Sequence, residues 1–123
     1  MPDERLILLV SPDLLSTSRI AGLAQPLPAR VETLRRIEDP LPGGPYDLVL
    51  VDLQTVPGTA AEIVSRALML CEGSGAKRAR LVAFGPHVAK ERLAEALAAG
   101  ADAVVSRGEL LGDFATLVQR WTE

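Results

Sequence analysis

What this chain lacks narrows its chemistry first. It has one cysteine and one histidine. A lone cysteine forms no internal disulfide and no cysteine-built metal site, and a single histidine supplies too few partners for a zinc-type centre. A reducing cytoplasm is the compartment this implies. Aromatic residues make up only 3% of the chain, so leucine, valine and alanine must build the core. Long apolar runs are also missing. The opening run, Leu6–Val10, is five residues, too short for a membrane span or a signal peptide. Nor is there a basic excess, since the net charge is -3, which argues against a nucleic-acid-binding face. Two local basic clusters, Arg30 with Arg35 and Arg36, and Lys77 with Arg78 and Arg80, read as solvated loop and strand ends. Gly73-Ser-Gly-Ala-Lys77 lacks Walker spacing, no GxGxxG follows the first apolar run, and no nucleophile elbow is present.

What is present is an alternation of short apolar runs with helix-like segments. At 123 residues, 48% hydrophobic and 24% charged, the chain reads as one globular domain over residues 1–123. Leu6–Val10 is a continuous apolar run of the kind that forms a parallel strand buried on both faces. Ser11-Pro12-Asp13 then reads as a helix start, with a serine cap, proline at the first position and an acid at the positive end of the dipole. That helix is expected to run to about Ala24 on Leu14, Leu15, Ile20 and Leu23. Ala29–Leu34 reads as an edge strand. From Ile37 to Pro45 three prolines and two glycines rule out a helix.

Tyr46–Asp52 is the second buried strand, and it ends on a carboxylate. Thr59-x-x-Glu62 matches a capping box and opens a helix to about Glu72, which Gly73-Ser-Gly75 ends. Its inner side carries Ile63, Ala67, Leu70 and Cys71, so Cys71 reads as core. Leu81–Phe84 is the next strand. A helix from Gly85-Pro86 to Gly100 follows, with Val88, Leu93, Ala96 and Leu97 on one face. After a short strand at Ala103–Val105, a helix from about Glu109 to Trp121 carries Leu110, Phe114, Leu117 and Trp121 at amphipathic spacing. Five strands and four helices imply a doubly wound, flavodoxin-like α/β sheet of order 2-1-3-4-5, with a loop where the helix between strands 2 and 3 would stand.

In order of elements and in length, the whole chain resembles the receiver domain of bacterial response regulators. Val49-Leu-Val-Asp52 matches the phosphoacceptor strand, and Ala98-Ala-Gly-Ala-Asp102 matches the segment before the last strand. Ser106-Arg107 stands where receivers carry a hydroxyl residue and an essential lysine. The resemblance implies Asp52 as the phosphoacceptor equivalent, with magnesium held largely by two acids after the first strand. Those two positions are Ser11 and Pro12 here, with Asp13 one residue later. The switch hydroxyl is replaced by Gly85-Pro86, the lysine by Arg107, the following proline by Gly108, and the switch aromatic by Val104.

A bare carboxylate with no cation to offset the phosphoryl charge is a poor acceptor. The resemblance therefore leads to a degenerate receiver, or pseudo-receiver. Such a module has no enzymatic activity and no resident cofactor, and works by protein–protein contact in a two-component-type pathway. Its partner is a signalling protein or a second copy, met through the face of the last strand and the helices before and after it. Nucleic acid and membrane are not expected partners. In this reading Asp52 accepts hydrogen bonds from backbone or Arg107.

Two rivals remain. One is a phosphoacceptor that uses Asp52, Asp13, Arg107 and magnesium. The other is a small-ligand module at the strand ends, near Ser11, Asp52, Gly85, His87 and Ser106. His87 is read first as a polar residue in the first turn of its helix, and second as a ligand contact or stand-in for the missing hydroxyl. Ser16, Thr17 and Ser18 read as surface positions. Trp121 reads as a core cap, with an exposed anchor as its alternative.

Overall fold

The computed structural model describes residues 4–72 and 78–123. The element order is β1 (Arg5–Val10), α1 (Leu14–Ala24), β2 (Ala29–Leu34), β3 (Leu48–Asp52), α2 (Ala60–Cys71), β4 (Arg80–Gly85), α3 (Lys90–Ala98), β5 (Ala103–Ser106), α4 (Arg107–Gly112) and α5 (Phe114–Thr122). The strands form one parallel sheet of order β2-β1-β3-β4-β5. This is the topology expected from the sequence. No helix or strand lies between Leu34 and Leu48, as the prolines and glycines there require.

The two-residue period of a strand splits the core cleanly. Leu8, Val10, Val49, Val51, Leu81 and Ala83 face one side, where Ile63, Val64, Ala67 and Cys71 of α2 and Ala96 of α3 cover them. Ile7, Leu9, Leu48, Leu50, Val82 and Phe84 face the other side, under Ile20, Leu110, Phe114, Leu117 and Trp121. Both faces are buried, so the central strands carry unbroken apolar runs. Trp121 is buried and caps the second layer. Cys71 is buried too, and burial pushes its thiol up to about 11.

Two aspartates fix the bottom edge of the sheet. The Asp47 amide donates to Leu6 O at 2.8 Å, and its carboxylate accepts the Leu6 amide at 2.8 Å. Asp102 repeats the device with Leu81, donating at 2.8 Å and accepting at 2.7 Å. Tyr46 and Asp47 therefore precede β3 instead of belonging to it. The Tyr46 hydroxyl donates to Glu32 Oε1 at 2.7 Å and ties the long loop down over β2.

Several expected boundaries move. The first helix is capped by Asp13 and not Ser11, and it starts at Leu14. Leu14 and Leu15 are consequently exposed, Leu15 by 74%, while Ser16 is fully buried. Helix α3 starts at Lys90, because a turn closed by the Ala89 amide on Pro86 O intervenes. Val88, in that turn, is 76% exposed, and Leu97 is also exposed. Helix α2 matches its expected capping box, with Thr59 and Glu62 bonded in both directions. A second box, Ser106 with Glu109, starts the last helical segment two residues earlier than expected.

That segment is two helices, because Asp113 leaves helical geometry at φ -137 and its amide closes on Glu109 O. The described residues thus form five helices where four were expected. The break keeps Leu110, Phe114, Leu117 and Trp121 facing inward together. Gly100 ends the α3 region at φ 121, a left-handed value that glycine adopts without a steric penalty. Residues 73–77, with the Gly-Ser-Gly motif and Lys77, lie outside the described residues.

Candidate functional site

Parallel pairing brings the strand C-termini to one edge. Val10 pairs with Val51, Asp52 with Phe84, and Gly85 with Ser106. Ser11 follows β1 directly and is held there by its amide, which donates to Leu34 O at 3.0 Å. Asp52 ends β3 and is 1% exposed.

The Asp52 carboxylate is fully engaged. Its Oδ2 accepts the Ser11 hydroxyl at 2.9 Å and the Thr55 hydroxyl at 2.6 Å. Its Oδ1 accepts the Gln54 amide at 3.0 Å. The same residue's carbonyl accepts the Val56 amide at 3.1 Å, so Asp52 also closes the turn after β3. Three donors thus hold the carboxylate in a closed site.

The second acid is turned elsewhere. Asp13 caps α1, with Oδ1 accepting the Leu15 amide at 3.3 Å and Oδ2 accepting the Ser16 hydroxyl at 2.5 Å. Arg107 Nη1 lies 3.8 Å from Asp13 Oδ2 and also donates to the Ser16 hydroxyl. The Ser16 bond foremost, with the Leu15 amide and Arg107 adding to it, holds the Asp13 carboxyl below its ordinary value. The expected bond from Arg107 to Asp52 is therefore not made. Arginine's long, forked side chain satisfies two partners on α1 instead. Ser11 links the two acids, since its Oγ accepts the Asp13 amide at 3.1 Å while donating to Asp52.

The remaining sequence candidates do other things. Pro12 is half-buried and separates Ser11 from Asp13. The Ser106 hydroxyl is used within its own capping box, accepting the Glu109 amide at 3.1 Å and donating to Glu109 Oε1 at 2.9 Å. At Gly85 an added Cβ would meet nothing nearer than Leu53 Cβ at 3.8 Å, so space does not demand glycine there. His87 is exposed, in the turn before α3 and not in its first helical turn. The anticipated ligand site at Ser11, Asp52, Gly85, His87 and Ser106 does not form one open cavity, because Ser11 and Asp52 are closed off.

Three contributors escaped the sequence reading. Thr55 sits three residues after Asp52 and bonds back to it, a local hydroxyl–carboxylate turn that the Asp-x-x-Thr spacing signals. Ser16, expected on the surface, is the buried node between Asp13 and Arg107. Arg92 of α3 donates to Leu53 O at 2.7 Å and so braces the chain just past Asp52. No local pattern announces that contact.

A magnesium ion takes oxygen ligands at about 2.0–2.1 Å, commonly one or two carboxylates with several waters. The donor set here does not fit. One carboxylate reaches the strand ends, its oxygens accept three hydrogen bonds, and the other acid is turned to Ser16 and Arg107. Among the described residues no three His, Cys, Asp or Glu side chains gather as a metal-binding group. The basic clusters are divided too, with Arg36 on Glu38 at 2.9 Å and Arg78 on Asp102 at 2.7 Å.

No family model and no curated protein matches the chain in sequence. Solved structures do match in shape. A two-component response regulator from Clostridium difficile superposes with a TM-score of 0.76 at 13% identity, over 95% of this chain and 94% of that one. An orphan response regulator of H. pylori gives 0.73 at 15%, over 100% of both chains. The receiver domain of a sensor histidine kinase from Pseudomonas aeruginosa, whose structure holds a magnesium ion in its active-site cleft, gives 0.70 at 16%, over 96% and 97%. The fold of this chain is the receiver fold of two-component response regulators.

Proposed function

We propose that this chain is a degenerate receiver: a cytoplasmic signalling module of the two-component type that acts by protein–protein contact, without magnesium-dependent phosphorylation of Asp52. The burial of Asp52 under the Ser11 and Thr55 hydroxyls carries this reading. A nucleophilic carboxylate needs a free oxygen facing the incoming phosphorus and a cation against the developing charge. The two hydroxyls occupy Asp52 Oδ2, Arg107 is directed to Asp13 and Ser16, and the Arg92 guanidinium near the end of β3 is taken by the Leu53 carbonyl. The module is read as a signalling part and not as an enzyme. Among the described residues, no helix is long and apolar enough to cross a membrane.

The partner surface assigned here is formed by α3, β5 and the α4–α5 pair. Strand β5 is an outer strand of the sheet, and Leu97 of α3 is 49% exposed beside it. The occupant is a signalling protein or a second copy of this chain, with neither nucleic acid nor membrane among the partners. Incubation with acetyl phosphate and magnesium, followed by intact-mass analysis, tests the reading. The expected spectrum lacks the mass of one added phosphoryl group. A mass gain of one phosphoryl group that Asp52→Asn abolishes would overturn it.

A further inference from the structure

The C-terminal edge of the sheet holds a second feature, on the β2 side of Asp52. A cleft of about 610 Å³ opens between the end of β2, the loop after β3 and helix α2. Its volume falls in the range of small-molecule sites, roughly 300–1,000 Å³. Three guanidiniums line it, Arg35 and Arg36 just past β2 and Arg66 on α2, against the single carboxylate of Glu38. In a chain of net charge -3 this is a local reversal of sign. Arg36 pairs with Glu38 at 2.9 Å, whereas Arg35 and Arg66 make no ion pair or side-chain hydrogen bond among the described residues. Glu62, nearby on α2, has its carboxylate bonded to the Thr59 amide at 3.0 Å.

The cleft has an apolar side as well. Val56 and Pro57 form one wall and Ile37 another. It sits where the chain reverses direction across the sheet, between β1 and β3, and ligands of doubly wound folds bind at that switch point. The missing helix between β2 and β3 leaves this corner open, because residues 35–47 cross it as loop.

We propose that this cleft is a binding site for a small organic molecule bearing a diphosphate, with the anion on Arg35, Arg36 and Arg66 and the apolar body against Ile37, Val56 and Pro57. The local excess of positive charge suits a diphosphate, and guanidinium forks bind phosphate oxygens two at a time. Thr55 lines the cleft and donates to Asp52, so occupancy is felt at the Asp52–Ser11 pair. Binding of the anion at this corner does not require Asp52 to accept a phosphoryl group.

The test is an amide NMR and calorimetric titration of the full chain with three probes: ADP, inorganic pyrophosphate and adenosine. ADP is expected to shift residues 35–38, 55–57 and 66, pyrophosphate to shift the same residues, and adenosine to shift none. Pyrophosphate is expected to bind more weakly than ADP; equal affinity would assign the binding to the anion alone and overturn the role given to Ile37, Val56 and Pro57. The double variant Arg35→Ala/Arg66→Ala should lose about tenfold or more in ADP affinity, while Arg19→Ala, which removes a charge from α1, leaves it unchanged. Arg35, Arg66 and Arg19 are all exposed, so both variants should fold. No shift at these residues with millimolar ADP or pyrophosphate, equal binding of adenosine, or undiminished binding in the double variant would each overturn the proposal.

Discussion

Arg107 stands at the end of β5, yet its guanidinium lies 3.8 Å from the Asp13 carboxylate and bonds the Ser16 hydroxyl on α1, leaving Asp52 to neutral donors. The cation and the acceptor that would have to cooperate in phosphoryl transfer belong to separate networks. Ser11 joins those networks through its hydroxyl, which makes the edge a hydrogen-bonded clasp between β1, β3 and β5.

Asp13 gives the clasp an acid limit. Its carboxyl titrates below its ordinary 3.8 in the folded chain, chiefly because Ser16 bonds it. A carboxylate lowered on folding adds stability above its unfolded value, and that stability is lost as pH falls through the folded value. Urea melts should therefore show a loss below about pH 3.8 that is smaller in Asp13→Asn. Asparagine still caps a helix, so that variant should match the parent at pH 7, whereas Asp13→Ala should melt at lower urea there.

Asp52 should behave as a structural residue. Asp52→Ala strips the acceptor from two buried or half-buried hydroxyls and one amide, and should cost about 2 kcal/mol of unfolding free energy in urea melts. The loss should appear with no phosphodonor present. Asp52→Asn keeps an acceptor oxygen and should cost less.

The fold was legible in the sequence where burial on both faces leaves a continuous apolar run. Leu6–Val10 and Leu48–Val51 announced β1 and β3, and Thr59-x-x-Glu62 announced α2. Helix boundaries were less legible. Ser11 and Asp13 are both good capping residues, and only the demand of Asp52 for a donor decides that Ser11 serves the sheet while Asp13 serves the helix. The partner of Arg107 was hidden for a related reason. Ser16 lies 91 residues away in sequence, and nothing local marks a serine as buried.

Tyr46 sets an alkaline limit. Burial, with the bond to Glu32, pushes its phenol up to about 12. A group raised on folding contributes stability that is complete below its unfolded value near 10 and fades as pH rises through 12. Thermal melts should therefore decline between pH 10 and 12. Tyr46→Phe, which has no phenol to ionise, should lose that part of the decline.

Cys71 should report unfolding. Its thiol is 2% exposed and pushed up to about 11, so little thiolate is present at pH 8. Labelling by an aromatic disulfide reagent should be slow in buffer and fast in denaturing urea, at a rate that follows opening of the α2 layer.

The most direct test of the degenerate-receiver account is an amide NMR titration with magnesium, followed by beryllofluoride as a phosphoryl mimic. The account predicts that a folded sample at millimolar magnesium shows no shifts centred on Asp13, Asp52 and Arg107, before or after beryllofluoride. Shifts gathered on those three residues would mean that the clasp opens to bind metal and phosphoryl group, and would contradict it.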